Sequence, residues 1–395
     1  MANAFTSTGS ASLGGTVGGA GLVQKAYDRL LEFALRSEPL IRSVADKTPT
    51  NQTNPGSTVV MQKYVDLAKA TGTLTETVDP DAVALSTPTQ VSITLNEYGN
   101  SVLVTRALEL FSLADVDPAI ANIIAFNLAD SIDEVAMTEL RAGTNVIYGG
   151  SATSTATVAA ASTLDSADLR KAVAKLRSNK AVARKGSMYW VGIHPEVSHD
   201  LRAETGAAAW RDPHNYQSGE QIWAGEIGSY EGAYFVESAR MFSSKAGADQ
   251  TALATASAVS GVSGEFTIVV ANAAFGGRAE VGDKIAGTNV GAAAKITAIS
   301  VGAVNTTLTV SVANSGTVGT ATLTVTPVTR VFNTIVCGQQ ALAQAVSEEP
   351  HVVIGNMTDK LNRFRPMGWY GVLGFKIYRE EALYRLETGS SISAL

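Results

Sequence analysis

The sequence predicts an α+β fold interrupted by an inserted all-β domain. Three observations carry that prediction. An apolar stripe at helical spacing runs from Ile120 to Leu140. A helix–strand–helix pattern follows between Asp165 and Thr205. From about 245 to 328 helix signals vanish: short β-branched segments alternate between Gly and Asn turns, and no charged residue stands between Lys295 and Arg330.

Taken in order, residues 1–21 are small, uncharged and glycine-rich, which predicts an arm unable to bury enough apolar surface to order by itself. Leu22, Ala26, Leu30, Phe33 and Ala34 predict a helix over 22–37, ended by Pro39, with a connection running to 56. "STVVMQKYVD" (57–66) reads as a strand, and "TQVSITLNEYGNSVLVT" (89–105) as another with a break near Gly99. The segment between them is too long for an ordinary loop and too rich in Thr, Val and Leu for a soluble linker. Residues 57–105 therefore read as an extended hairpin that needs a neighbouring surface, because a lone two-stranded ribbon is marginal.

The strongest helix spans 117–141. Asp117 is placed to cap it, Pro118 suits its first position and Gly143 its end. Ile120, Ile124, Leu128, Ile132, Val135 and Leu140 form its buried stripe. Their burial is worth on the order of 10 kcal/mol, and the helix would be about 35 Å long. "LDSADLRKAVAKLRSNK" predicts a second helix capped by Asp165, with Leu169, Val173 and Leu176 inward. "SMYWVGI" predicts a buried strand, and Pro195 opens a third helix. After the insert, "TRVFNTIVCGQQALAQAV" resumes the mixed pattern, and "MGWYGVLGFKIYREEALYRLETGSSI" predicts a terminal strand pair.

Composition narrows the function classes. Charged residues are only 17% of the 395, with a net charge of −6 and a pI of about 5.4. So little charge suits a chain that covers part of its surface with partners, and the missing basic segment argues against a dedicated nucleic-acid binder. The single cysteine, Cys337, gives no disulfide framework and fits a reducing compartment. The first basic residue is Lys25, so no secretory leader is expected, and no apolar run is long enough for a membrane span. Without a secretory route the Asn-x-Ser/Thr matches at Asn51, Asn305 and Asn356 carry no weight.

The chemistry-bearing candidates are few. "WVGIHPEVSHDLRAET" brings His194, Glu196 and His199 together. A zincin requires His-Glu-x-x-His, whereas this order is His-Pro-Glu-Val-Ser-His, and a metal would need a further ligand such as His214 or His351. The simpler account is a proline-started helix with Glu196 favouring its dipole. A metal-dependent enzyme using His194, Glu196 and His199 stays as the alternative. There is no phosphate-binding glycine loop and no nucleophile elbow. Cys337 closes an apolar strand and reads as a buried thiol. Trp369, Tyr370, Phe375 and Tyr378 could stack bases, but their alternation points to a sheet packed on a core. Arg363 and Arg365 could meet phosphates, with ion pairs to Asp359 or to a partner as the plainer expectation. No catalytic, cofactor-binding or metal residue is assigned.

The order and spacing of the parts, with "IHPEVSHDLRAE", "GEIGSYEGAYFVESARMF" (225–242), "VFNTIVCGQQALAQA" and "GWYGVLGFKIYREEALYRLETGSS", resemble the tailed-phage major capsid protein of Hong Kong 97 type, nearest the group typified by the coliphage N4 coat protein. The resemblance covers 22–243 and 330–392. It implies an icosahedral shell subunit without catalysis or cofactor: an arm (1–21), an extended loop (57–105), a peripheral domain with a spine helix (106–148 and 351–395) and an axial domain (149–244 and 329–350). The insert (245–328) would be an added β-barrel or β-sandwich. Implied partners are the chain itself, as pentamers and hexamers, and double-stranded DNA contacted non-specifically. The short uncharged arm at the start favours a separate scaffolding protein; a portal and a decoration protein are further candidates. The implied place is the virion, after assembly in the host cytoplasm. No lysine–asparagine pair matches the namesake's covalent cross-link. A bacterial nanocompartment shell, which shares the fold, is the other reading.

Overall fold

The computed structural model describes residues 39–48, 56–106 apart from 75, 78, 80–82 and 86, 116–204, 226–253, 256–271, 279–319, 322–355 and 361–392 apart from 362. The arm expected at 1–21 and the helix expected at 22–37 lie outside them. In chain order the strands are β1 (Asp46–Thr48), β2 (Thr58–Lys63), β3 (Thr89–Thr94), β4 (Asn96–Thr105), β5 (Val146–Tyr148), β6 (Tyr189–Ile193), β7 (Glu226–Tyr230), β8 (Ala233–Glu237) and β9 (Ser243–Asp249). There follow β10 (Ala256–Ser260), β11 (Thr267–Ala271), β12 (Lys284–Gly287), β13 (Ile296–Val301), β14 (Asn305–Val310) and β15 (Thr322–Thr326). The last four are β16 (Val328–Cys337), β17 (Leu342–Ile354), β18 (Phe364–Ile377) and β19 (Leu383–Thr388). The described helices are α1 (Val116–Arg141), α2 (Ser166–Ser178) and α3 (Pro195–Ala203).

Helix α1 is the spine of one unit. Its stripe covers a four-stranded sheet of order β1-β17-β18-β4, where Ile124 packs with Val104, Met367 and Trp369. Farther along, Ile132, Ala136, Met137 and Leu140 join Ile41, Val44, Trp190, Met241, Leu342 and Leu373 in the largest core. The described helix includes Val116, so Asp117 lies within it rather than before it. Gly143 follows the end without a left-handed turn. A Cβ there would stand 2.8 Å from Leu383 Cδ2, so close packing is what its bare backbone serves.

The second unit is a seven-stranded sheet, β5-β19-β16-β6-β8-β7, with β9 added to β16. Helices α2 and α3 supply Leu169, Val173, Leu176, Val197 and Leu201 to the core around Phe235 and Phe332. Asp165 caps α2 as expected, accepting from the Asp168 amide at 2.9 Å.

The third unit is the insert. Its path β12-β15-β10-β11-β14-β13 is antiparallel throughout. The two ends of that path also meet: Ile285 N–H donates to Ala294 O at 3.0 Å, and Ile296 N–H to Asp283 O at 2.9 Å. The strands thus close into a small barrel around Ile268, Ile285, Leu308, Leu323 and Val325. Closure removes the unpaired edges that a short open sheet would leave exposed.

Four expectations need correction. The break in 89–105 falls at Leu95, not near Gly99; Gly99 sits inside β4 opposite Tyr370, where a Cβ would stand 2.8 Å from Trp369 O. Strand β4 pairs with β18 instead of lengthening the hairpin, whose ladder is only Thr58–Lys63 against Thr89–Thr94. Finally, the chain does not divide between units at 350. Strand β17 starts at Leu342 in the spine-helix sheet, while β19 (383–388) returns to the other sheet beside β16, so β18 and β19 do not pair.

Candidate functional site

The feature with the clearest call for a partner is the projection between β2 and β3. Among the described residues of 64–88 there is no helix or strand. Apolar side chains there stand in solvent: Tyr64 is 73% exposed, Leu74 79% and Leu85 76%, with Val65, Leu67 and Val83 also exposed. A segment that buries so little apolar surface finds little among the described residues to hold it.

Its base is fixed. Ile93 is fully buried against Ala343 and Ala345, with Val59, Met61 and Tyr378 around it. Gly374 permits the approach: a Cβ there would lie 2.2 Å from Thr94 O. Lys63 Nζ reaches Glu381 at 3.1 Å. The carboxyl of Glu381 is held below the usual carboxylate range, first by a backbone hydrogen bond and then by Lys63. A firm base below an unpartnered apolar span suits a lever that lies on another surface.

A second apolar area lies at the far end of the spine-helix sheet, where Val102, Leu103, Val352, Val353 and Ile354 are exposed. These residues come from β4 and β17, which flank β18. Beside them runs an open groove of about 650 Å³ with Gly99, Gly355 and Gly368 among its lining residues, and with His351 and Tyr370 on its walls. Its shape is that of a sheet face, without the enclosure that holds a small ligand.

His194, Glu196 and His199 do not converge. His194 is the N-cap of α3: its Nδ1 accepts from the Glu196 amide at 3.3 Å, and its ring lies 4.8 Å from that of Phe332. Burial lowers its pKa below the ordinary histidine value, keeping the neutral ring that can accept this bond. His199 is exposed, with Nδ1 3.3 Å from Asp200 Oδ1. His351 is on β17, in another sheet, and His214 lies outside the described residues. Among the described residues no group of three His, Cys, Asp or Glu side chains is placed to hold a metal.

Of the remaining candidates, Cys337, Trp369 and Phe375 are built into cores, whereas Arg363 is exposed. Cys337 is fully buried, and burial pushes its thiol up to about 12. Trp369 and Phe375 face inward, and the Trp369 indole donates to Asn127 Oδ1 at 2.9 Å. Arg363 lies over the Phe364 ring at 5.3 Å. Asp359 lies outside the described residues. One residue the sequence reading passed over is Asp133. Buried on α1, it accepts from the Leu40 and Arg42 amides at 3.3 and 3.0 Å and pairs with Arg240 at 3.8 Å, tying the spine to the first described turn. In sequence it is one of several acidic residues between Asp130 and Glu139, and only the turn of the helix sets it among the buried side chains. No described helix is long and apolar enough to cross a membrane.

A family model described as "Phage capsid protein" matches residues 37–382. The chain belongs to this phage capsid family. It is a structural subunit that assembles with its own copies into the shell of a virion. Solved structures agree in fold. The cyanophage Pam1 capsid is 12% identical, with 96% of this chain and 100% of that one covered and a TM-score of 0.59. The capsid of Ralstonia phage GP4 is 13% identical over 95% and 97%, at 0.58. That of Helicobacter pylori bacteriophage KHP30 is 13% identical over 95% and 98%, at 0.56. These likenesses show the Hong Kong 97-type capsid fold. No curated protein matches the chain significantly.

Proposed function

We propose that this capsid protein is the major coat subunit of a tailed-phage head, assembling as pentamers and hexamers into an icosahedral shell around double-stranded DNA. The observation that carries the reading is the apolar projection of residues 64–88 on a pinned base. Laid on a neighbouring copy it would bury Tyr64, Leu74 and Leu85, and repeated around a ring such weak contacts add through multivalency. In this reading the spine-helix sheet is the peripheral domain and the seven-stranded sheet the axial domain. The barrel faces outward, since the uncharged stretch from 296 to 329 offers nothing to a dense polyanion. DNA is met non-specifically.

A scaffolding protein, a portal and a decoration protein are separate partners, and assembly takes place in the host cytoplasm. The order of the motifs around "IHPEVSHDLRAE" supports a place beside the coliphage N4 coat protein. No catalytic step, cofactor or metal belongs to the proposal. Electron cryomicroscopy of particles purified from phage-infected or expressing cells tests it. Closed shells with fivefold and sixfold clusters, enclosing DNA when taken from infected cells, are the expected result. Shells filled with a cargo enzyme, or a free subunit with stoichiometric metal, would replace it.

A further inference from the structure

The barrel joins the rest of the chain through a two-stranded neck, in which β9 leads out and β16 leads back. Asp249 is opposite Val328 and Lys245 opposite Arg330 in the ladder. A two-stranded ribbon with these connections can bend, so the neck alone does not define how the barrel is held.

One buried carboxylate touches both sides of this junction. Asp283, on the turn before β12, has no exposed surface. Its Oδ1 accepts from Lys245 Nζ of the outgoing strand at 2.6 Å and from the Val328 amide of the returning strand at 3.2 Å. Its Oδ2 accepts from the Glu280 amide within the barrel at 2.8 Å. The turn itself is fastened to the barrel by Gly282 N–H to Ile296 O, at 2.7 Å. Gly282 has φ +100°, and a Cβ there would stand 2.8 Å from Lys245 Cβ. The glycine therefore makes room for the lysine stem as well as for the turn. Glu280 completes the cluster, taking Lys245 at 2.8 Å and Arg330 at 3.4 Å.

We propose that Asp283 and Lys245 form an orientation clasp that holds the inserted barrel in one fixed attitude on the capsid scaffold. A buried ion pair adds little net stability, because desolvation offsets most of its attraction. Separating its members is costly, because Asp283 is then left buried with no cation beside it. Any tilt of the barrel that draws Asp283 away from Lys245 and the Val328 amide meets that penalty, so the pair selects one attitude. The exposed pair Lys284–Asp249 at the same junction, 2.6 Å apart, is hydrated and exerts no comparable selection.

The test places spin labels on cysteines introduced at His199 of α3 and Ser300 of β13, both exposed, in full-length chain diluted with unlabelled chain. The clasp predicts a single narrow label-to-label distance in the parent protein. Asp283→Asn should lose it and give a broad distribution. Lys245→Met, which changes no barrel residue, should do the same while the barrel stays resistant to protease. Lys284→Met should keep the narrow distance. An unchanged narrow distance in both clasp variants, or equal broadening in Lys284→Met, would overturn the proposal.

Discussion

The indole N–H of Trp369 donates to Asn127 Oδ1 at 2.9 Å, joining the middle strand of one sheet to the spine helix that covers it. Trp369 is 5% exposed, so water has little access to replace that acceptor. Asn127→Leu should therefore cost about 1–3 kcal/mol, the usual penalty for a buried donor left unpaired. Thermal unfolding of the full chain checks it; an unchanged midpoint would show that the indole finds another acceptor.

Deleting 70–86 should leave a folded subunit that no longer makes normal shells. The described residues removed are exposed and pair with no described strand, whereas the base, from Thr58–Lys63 to Ile93, is kept. Circular dichroism should match the parent and electron micrographs should lack regular particles. Normal shells would refute the role given to the projection.

His194 and His199 should separate on mutation. His199→Gln is a surface change expected within about 0.5 kcal/mol. His194→Ala removes an N-cap and should cost about 1 kcal/mol. The pH dependence follows from the lowered pKa of His194. Between the folded and unfolded values the unfolded chain binds more protons, so stability is complete above the ordinary value of 6.5 and falls as pH drops toward the lowered one. In His194→Ala this part of the acid destabilisation should vanish; if it persists unchanged, another group carries it.

Replacing 251–326 by a short Gly/Ser linker should preserve the other two units, because Asp249 and Val328 are ladder partners about 5 Å apart. The cut removes Asp283 and Glu280, the partners of Lys245 and Arg330. Adding Lys245→Met should therefore raise the melting temperature of the truncated chain. A truncated chain that cannot fold, with or without that change, would make the barrel part of the folding core.

Cys337 should not react with a water-soluble disulfide reagent in the native protein and should react fully in denaturant. Burial both shields the sulfur and holds the thiol up to about 12, so almost no thiolate is present at neutral pH. Rapid native labelling would show that β16 opens locally.

Much of this was legible in sequence, because period and punctuation report local structure directly. The stripe Ile120–Leu140 marked the spine, Asp165 and Pro195 marked two helix starts, and the charge-poor alternating segment marked the insert. These signals depend on residues a few positions apart, whose geometry is set by the backbone. His194 shows the limit. A histidine beside a proline reads equally as ligand or cap, and only the Glu196 amide at 3.3 Å identifies the cap.

What the tertiary structure alone decided is pairing across distance. Alternation places β4, β18 and β19 as strands, yet it does not say that β18 lies in one sheet and β19 in another. Nor does it say that Gly374 is bare so that Thr94 can approach. Asp283 in sequence is one acidic residue in a turn; in the fold it accepts from Lys245, 38 positions earlier, and from Val328, 45 positions later. Sheet order and buried ion pairs are settled by which surfaces exclude water together, a property of the whole chain and of no window within it.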